Sequence, residues 1–207
     1  FLDVAEAAGM TVYGHTLAWH SQQPVQYLNS LIEGKRVELP EGETAEEKIL
    51  DLDFNDGRHP FNGWGNNSSR GVENGVFKVS NPSAVNSWEA QFAYDVQTPF
   101  ENGREYKLKF KIKGSSVGRL SSGFQITDGY KSAGEFPGVQ FNTQWKDVEI
   151  TCQCNASGAT RLIFSFGEFV GDIYIDDFEF IALGADYKIV DMTPEEKKEA
   201  LTQAMER

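Results

Sequence analysis

Two histidines, a tryptophan and a glutamine (His15, Trp19, His20 and Gln22) fall within eight residues of one another in the run Val12–Pro24. A buried parallel strand reads as an uninterrupted apolar run; this one begins apolar and turns polar, and polar groups at the tip of a barrel strand commonly face a substrate. Further along, aromatic rings stand near amide, hydroxyl and carboxyl groups: Trp64, Trp88 with Gln91, Tyr130 with Glu135, and Ser165 with Glu168. Aromatic rings offer flat faces with a negative π-cloud. Amides and hydroxyls offer donors and acceptors beside them.

The elements that must position these groups change along the chain. Residues 1–10 read as a helix, with Phe1, Leu2, Val4, Ala5, Ala8 and Met10 on one face and Gly9 ending it. A short apolar strand leads to the polar tip. Residues 25–48 read as a transition broken by Gly34, Pro40 and Gly42, with an acidic, solvated run at 41–48. From Ile49, short strands separated by turn signals predict an all-β sandwich or barrel. They fall near 49–55, 75–80, 87–96, 104–114, 119–127, 137–141, 145–154, 160–167 and 172–182. Tyr106, Leu108, Phe110 and Ile112 alternate with four lysines, so one face is core and the other solvent. Thr193-Pro194-Glu195-Glu196 predicts a helix start with cap, proline and acidic first turn. The chain therefore divides into a flank (1–45), a β-sandwich (46–184) and a helical flank (185–207).

The bulk composition narrows the partners. The 207 residues are 40% hydrophobic and 24% charged, ordinary for a globular chain. A net charge of −12 argues against nucleic acid and anionic membrane, both of which require a basic face. No apolar run approaches the ~20 residues that cross a bilayer. Cys152 and Cys154 fall on one strand face, poorly placed to bridge, and read as small buried hydrophobes.

Several candidates admit two readings. Trp88 is either a core indole or a platform able to stack on a pyranose ring. Strict alternation sets it opposite Gln91, so the second reading needs a bulge or loop at Trp88. Tyr130, in the turn-rich stretch Thr127–Lys131, either plugs the core or is an exposed functional aromatic. Glu135 on the same loop is either a solvated charge or an acceptor for a hydroxyl. Trp64, near Arg70, is left open. Phe164 and Phe166 face the core, which turns Ser165 outward.

The run Gly14-His15-Thr16-Leu17-Ala18-Trp19-His20-Ser21-Gln22-Gln23-Pro24 resembles strand three of the family 10 glycoside hydrolases, the xylanases. The resemblance assigns His15, Trp19 and Gln22 to sugars on the glycone side of the cleavage point. Residues 49–182 resemble carbohydrate-binding modules of families 4 and 22. The matching pieces are Asp53-Phe54-Asn55-Asp56-Gly57, Gly63-Trp64, Ser87-Trp88-Glu89-Ala90-Gln91, Gly103-Arg104-Glu105-Tyr106, Thr143-Gln144-Trp145-Lys146, Phe164–Gly167 and Tyr174–Asp177. This resemblance implies a jelly-roll sandwich with a glycan groove on one concave sheet. It places Trp88 and Tyr130 on the two sides of the sugar, and a polar contact at Ser165 whose shortness shifts weight to Glu168. It also makes Trp145 a structural core residue. Modules of this type often hold a structural calcium ion, here by Asn55 and Asp176 or Asp177, although two side chains fall short of the six to eight oxygens calcium takes.

Glycosidases need two carboxylates about 5–9.5 Å apart, and the contexts that carry the xylanase glutamates are not found in this sequence. The expected function is therefore non-catalytic: a module that binds xylan or xylo-oligosaccharides and targets a linked endo-xylanase barrel, secreted or displayed by a bacterium. The alternatives are mixed-linkage glucan or cellulose as ligand, a spacer without glycan affinity, and a hydrolase using acids among Glu89, Glu135, Glu168 and Asp176.

Overall fold

The computed structural model describes residues 31–32 and 34–205. The helix expected over 1–10, the strand after it, and His15, Trp19 and Gln22 lie outside the described residues. Residues 38–188 form one compact unit, and the flanking residues belong to a second.

Within the larger unit two six-stranded antiparallel sheets face each other. One runs β10 (Val139–Phe141), β8 (Gly118–Ile126), β12 (Arg161–Ser165), β6 (Gln91–Asp95), β3 (Asn62–Trp64), with β9 (Lys131–Glu135) also on β8. The other runs β11 (Lys146–Gln153), β7 (Glu105–Gly114), β13 (Gly171–Ala185), β5 (Val76–Asn81), β4 (Ser69–Glu73), with β2 (Ala45–Leu52) also on β13. The long β13 bulges between Asp176 and Glu179, where Asp177 takes a left-handed φ of 47°. The bulge separates the stretch paired to β5 from the stretch paired to β2. The result is a jelly-roll β-sandwich.

An aromatic core joins the sheets. Phe92 of β6 and Phe164 of β12 stack at 4.5 Å and 7°. Phe77 of β5 meets Phe92 edge-on at 5.4 Å, and Phe178 of β13 meets Phe164 at 5.9 Å. At the other end Phe124 of β8 packs on Tyr106 of β7 at 5.1 Å. Offset and edge-to-face contacts of this kind add stabilisation beyond buried area. The alternation expected on β7 is present, with Tyr106, Leu108, Phe110 and Ile112 buried. Its lysines make cross-strand ion pairs, Lys107 to Glu46 at 2.5 Å and Lys111 to Asp177 at 2.7 Å.

Five sequence expectations need correction. The acidic run read as a solvated transition is in part strand, because β2 begins at Ala45. Residues 87–89 are a 3-10 turn rather than the start of a strand. β3, β4 and β9 were not expected; they are short and carry Gly, Ser and Asn, and the ladders of β6, β5 and β8 hold them. Glu135 therefore sits on a strand and not on a loop. Trp145 is not core: it is 43% exposed, with the Lys113 ammonium 4.8 Å from its ring centroid.

β1 (Lys35–Glu38) and β14 (Tyr187–Val190) pair as a two-stranded sheet. Helix α1 (Pro194–Met205) starts as its sequence requires: Glu196 accepts from the Thr193 N–H at 2.8 Å, and Thr193 Oγ1 accepts from the Glu196 N–H at 3.3 Å.

Cys154 is buried and Cys152 half-buried, and both are free thiols. Burial pushes Cys152 up to about 11 and raises Cys154 as well. A folded state that holds a proton more tightly than the unfolded chain loses stability as pH rises between the two values. Stability contributed by the thiols is thus intact below pH 9 and declines toward pH 11, a trend that urea midpoints across that range will read. Phe92→Ala removes the ring that touches both sheets and is expected to cost about 3–5 kcal/mol, measured as the shift in urea midpoint.

Candidate functional site

The register of the first sheet aligns outward-facing residues into rows across its strands. Trp64 (β3) lies opposite Gln91 (β6), Gln91 opposite Ser165 (β12), and Ser165 opposite Ser121 (β8). The next row holds Asn62, Ala93, Ile163, Gly123 and, on β9, Glu135. The third holds Asp95, Arg161, Gln125 and Ser132. Gln91, Ser165 and Ser121 of the first row, Ile163, Gly123 and Glu135 of the second, and Gln125 and Ser132 of the third line an open groove of about 330 Å³. Gly123 keeps the floor low where β9 crosses: a Cβ there would lie 2.6 Å from the Gly134 carbonyl oxygen.

Two aromatic rings bound the groove. Trp88 precedes the first row and is 66% exposed; Tyr130 follows the third and is 75% exposed. The chain crosses the alternation rule at Trp88 because residues 87–89 are a turn. Glu89 holds that turn by accepting from the Asn86 N–H at 2.9 Å and from Asn86 Nδ2 at 2.7 Å. Glycines flank it. A Cβ at Gly65 would collide with the Glu89 carbonyl oxygen, and one at Gly167 with that of Asn86. Buried Asn81 braces the outer side, donating to the carbonyls of Gly167 at 3.0 Å and Phe169 at 2.7 Å, while accepting from Asn66 at 2.7 Å. Tyr130 has φ 52° and follows Gly129 at φ 73°. Left-handed backbone at a non-glycine residue costs of order 1 kcal/mol and concentrates at functional sites.

Between the rings the polar groups are already directed. Trp64 Nε1 donates to Gln91 Oε1 at 3.1 Å, and Gln91 Nε2 donates to Ser165 Oγ at 2.8 Å. The Ser165 hydroxyl hydrogen and the second Gln91 N–H remain to be donated into the groove. Arg161 lies over the Trp64 ring at 4.9 Å and pairs with Asp95 at 2.6 Å, so its charge is answered within the protein.

Of the expected site residues, Trp88, Gln91, Tyr130, Glu135 and Ser165 line the groove, and Trp64 reaches it through Gln91. Glu168 does not; it is exposed outside the groove, while Ser165 is inside it. The carboxylates considered for a hydrolase are also dispersed. Glu89 is used in the Trp88 turn, Asp176 lies on the other sheet, and Glu135 is the only acid lining the groove among the described residues. Sequence reasoning missed Arg119, Ser121, Gln125 and Ser132. The signal for the first three was present, since Arg119, Ser121, Gly123 and Gln125 alternate with Leu120 and Phe124.

Asn55 and Asp176 are engaged separately. Asn55 donates its N–H and Nδ2 to Asp53, each at 3.0 Å, and these bonds hold the Asp53 carboxyl below its ordinary value. Asp176 accepts from the Asp177 N–H at 2.9 Å, and Asp177 pairs with Lys111. Among the described residues no three His, Cys, Asp or Glu side chains gather as a metal set. As placed, Asn55 and Asp176 do not supply what a calcium ion needs.

Residues 46–168, more than half of the chain, match the family model for a carbohydrate-binding domain. The chain belongs to that family. The domain's sandwich is also that of solved carbohydrate-binding modules. The apo structure of BiXyn10A CBM1 is 23% identical, covers 67% of this chain and 98% of its own length, and superposes with a TM-score of 0.52. Mutants of CBM29-2 complexed with cellulohexaose and with mannohexaose are 12% identical, each covering 70% of this chain and 95% of its own, at TM-scores of 0.51. These likenesses concern the fold. No curated protein matches the chain.

Because the donor set around Asn55 falls short, EDTA is expected to leave the domain's melting temperature unchanged. A drop of several degrees, reversed by added calcium, would restore the paired Asn55–Asp176 site.

Proposed function

We propose that the groove binds an extended β-linked glycan, with xylan as the preferred chain, and that the domain holds a linked endo-xylanase on its substrate outside the cytoplasm. The observation that carries this reading is the pair of exposed rings, Trp88 and Tyr130, on opposite sides of a floor of directed hydroxyl and amide groups. Sugar C–H bonds are slightly positive and stack on the negative face of an aromatic ring. Gln91 and Ser165 then exchange hydrogen bonds with sugar hydroxyls, and Glu135 accepts from one.

Xylose lacks a hydroxymethyl arm, so a xylan chain is slim enough to run between two walls. The preference for xylan over other glycans rests on the resemblance of residues 12–24 to the strand of a xylanase barrel. His15, Trp19 and Gln22 would belong to that host's cleft. The domain's contribution is concentration: a tethered module makes the second encounter with the polymer intramolecular. It lowers no chemical barrier, since the groove offers one carboxylate where glycoside hydrolysis takes two.

Calorimetry with xylohexaose, cellohexaose and a mixed-linkage gluco-oligosaccharide tests the reading, with xylohexaose expected to bind most tightly. Tighter binding of either glucan would replace xylan by that glucan, and absence of affinity for all three would leave a spacer. Trp88→Ala is expected to weaken binding at least tenfold, about 1.4 kcal/mol, as loss of a central aromatic anchor does. Sustained release of reducing sugar from xylan would overturn the non-catalytic reading.

A further inference from the structure

Among the described residues one guanidinium lines the groove, and no described group answers its charge. Arg161 is paired with Asp95. Arg104 is paired with Glu47 and Glu101, and Arg70 is bonded to the carbonyls of Phe61 and Gly63. Arg119 lines the groove, is exposed, and its guanidinium makes no hydrogen bond or ion pair among the described residues.

Its placement is built. A Cβ at Gly138 would come within 3 Å of Arg119 Nε, Nη2 and Cζ alike. The point is nearer to the two nitrogens than to Cζ between them, so the Nε/Nη2 edge of the guanidinium is turned onto Gly138, which is possible because that residue has no side chain. Arg119 also stands one row out from Ser121, on the flank of the groove that Trp88 closes, opposite Gln140 of the edge strand β10. At that place, beyond the Ser121 row, a substituent of a bound chain would meet it before the chain's own sugar rings do. A guanidinium has donors only, and the Nη1/Nη2 edge, which is not the one turned onto Gly138, can give a carboxylate two parallel hydrogen bonds.

We infer that Arg119 reads the carboxylate of a uronic acid branch, so that the groove prefers an acidic, decorated glycan over the bare chain. The inference rests on the groove reading above and adds the class of decoration to it. Glu135, one strand row inward of Ser121 and two from Arg119, is the groove's opposing charge; it disfavours a carboxylate on the floor and so confines the acidic branch to the Arg119 flank.

The test is the ratio of two affinities in 0.15 M NaCl: a xylo-oligosaccharide carrying one glucuronic acid branch against the unbranched oligosaccharide of equal backbone length. The wild-type protein is expected to bind the acidic ligand about threefold to tenfold more tightly, the range from an exposed ion pair to a bidentate one. The ratio is expected to fall to one in Arg119→Gln, and to shrink as salt is raised. Gly138→Ala displaces the guanidinium while keeping the charge, and should reduce the ratio with an unchanged melting curve. A wild-type ratio of one, or a ratio that survives Arg119→Gln, overturns the inference while leaving neutral binding in place. Failure of the wild-type protein to bind either ligand removes the groove reading, and this inference with it.

Discussion

The stack of Phe92 on Phe164 determines which way two neighbouring strands face. The rings are register partners on β6 and β12, nearly parallel, and closed over by Phe77 and Phe178 from the opposite sheet. Side chains alternate along a strand, so a slip of one residue would turn Gln91 and Ser165 into the core and the two rings into water. The groove is the reverse side of this aromatic contact: it has a floor because the core has a register.

The two sheets use their outer faces differently. The face built on β7, β11, β13 and β2 carries lysines matched to carboxylates across strands, which makes it soluble and leaves little unsatisfied. The groove on the sheet of β6, β8 and β12 is lined by serine, glutamine, glycine and isoleucine between two exposed rings, with Arg119 and Glu135 as its charged groups. Weakly charged polar groups beside aromatic surface suit a ligand made of hydroxyls and C–H bonds. The family assignment as a carbohydrate-binding domain agrees with that division of labour.

Much of the sandwich was legible. The lysine alternation on β7 announced a half-buried strand, and the turn signals between Ile49 and Ala182 set the spacing of most of the others. What stayed hidden were strands too short to show a period. β3 is Asn-Gly-Trp and β9 is Lys-Ser-Ala-Gly-Glu; each is a strand only because a longer neighbour offers a ladder. Trp145 misled for a related reason. Its position beside a strand resembled a buried residue, but its ring turns to solvent and is covered on one side only by Lys113. Glu168 was favoured over Ser165 for its longer reach, yet strand alternation left the serine in the groove and the chain turned away before the glutamate.

The sequence by itself determined what is local: alternation that separates core from surface on β7 and β12, the Thr193 cap of α1, acidic charge that disfavours nucleic acid and anionic membrane, and aromatic and amide residues of the right type for a sugar. Only the tertiary structure decided where those residues meet. Trp88 is a platform because Gly65 and Gly167, distant in sequence, let the Asn86–Glu89 turn press against them. Tyr130 faces it because β6 and β8 run parallel to each other on either side of β12, which sets the turn before one and the turn after the other at opposite ends of the floor. Such placement depends on backbone approach and register between strands far apart in the chain, and neither is written in any local run of residues.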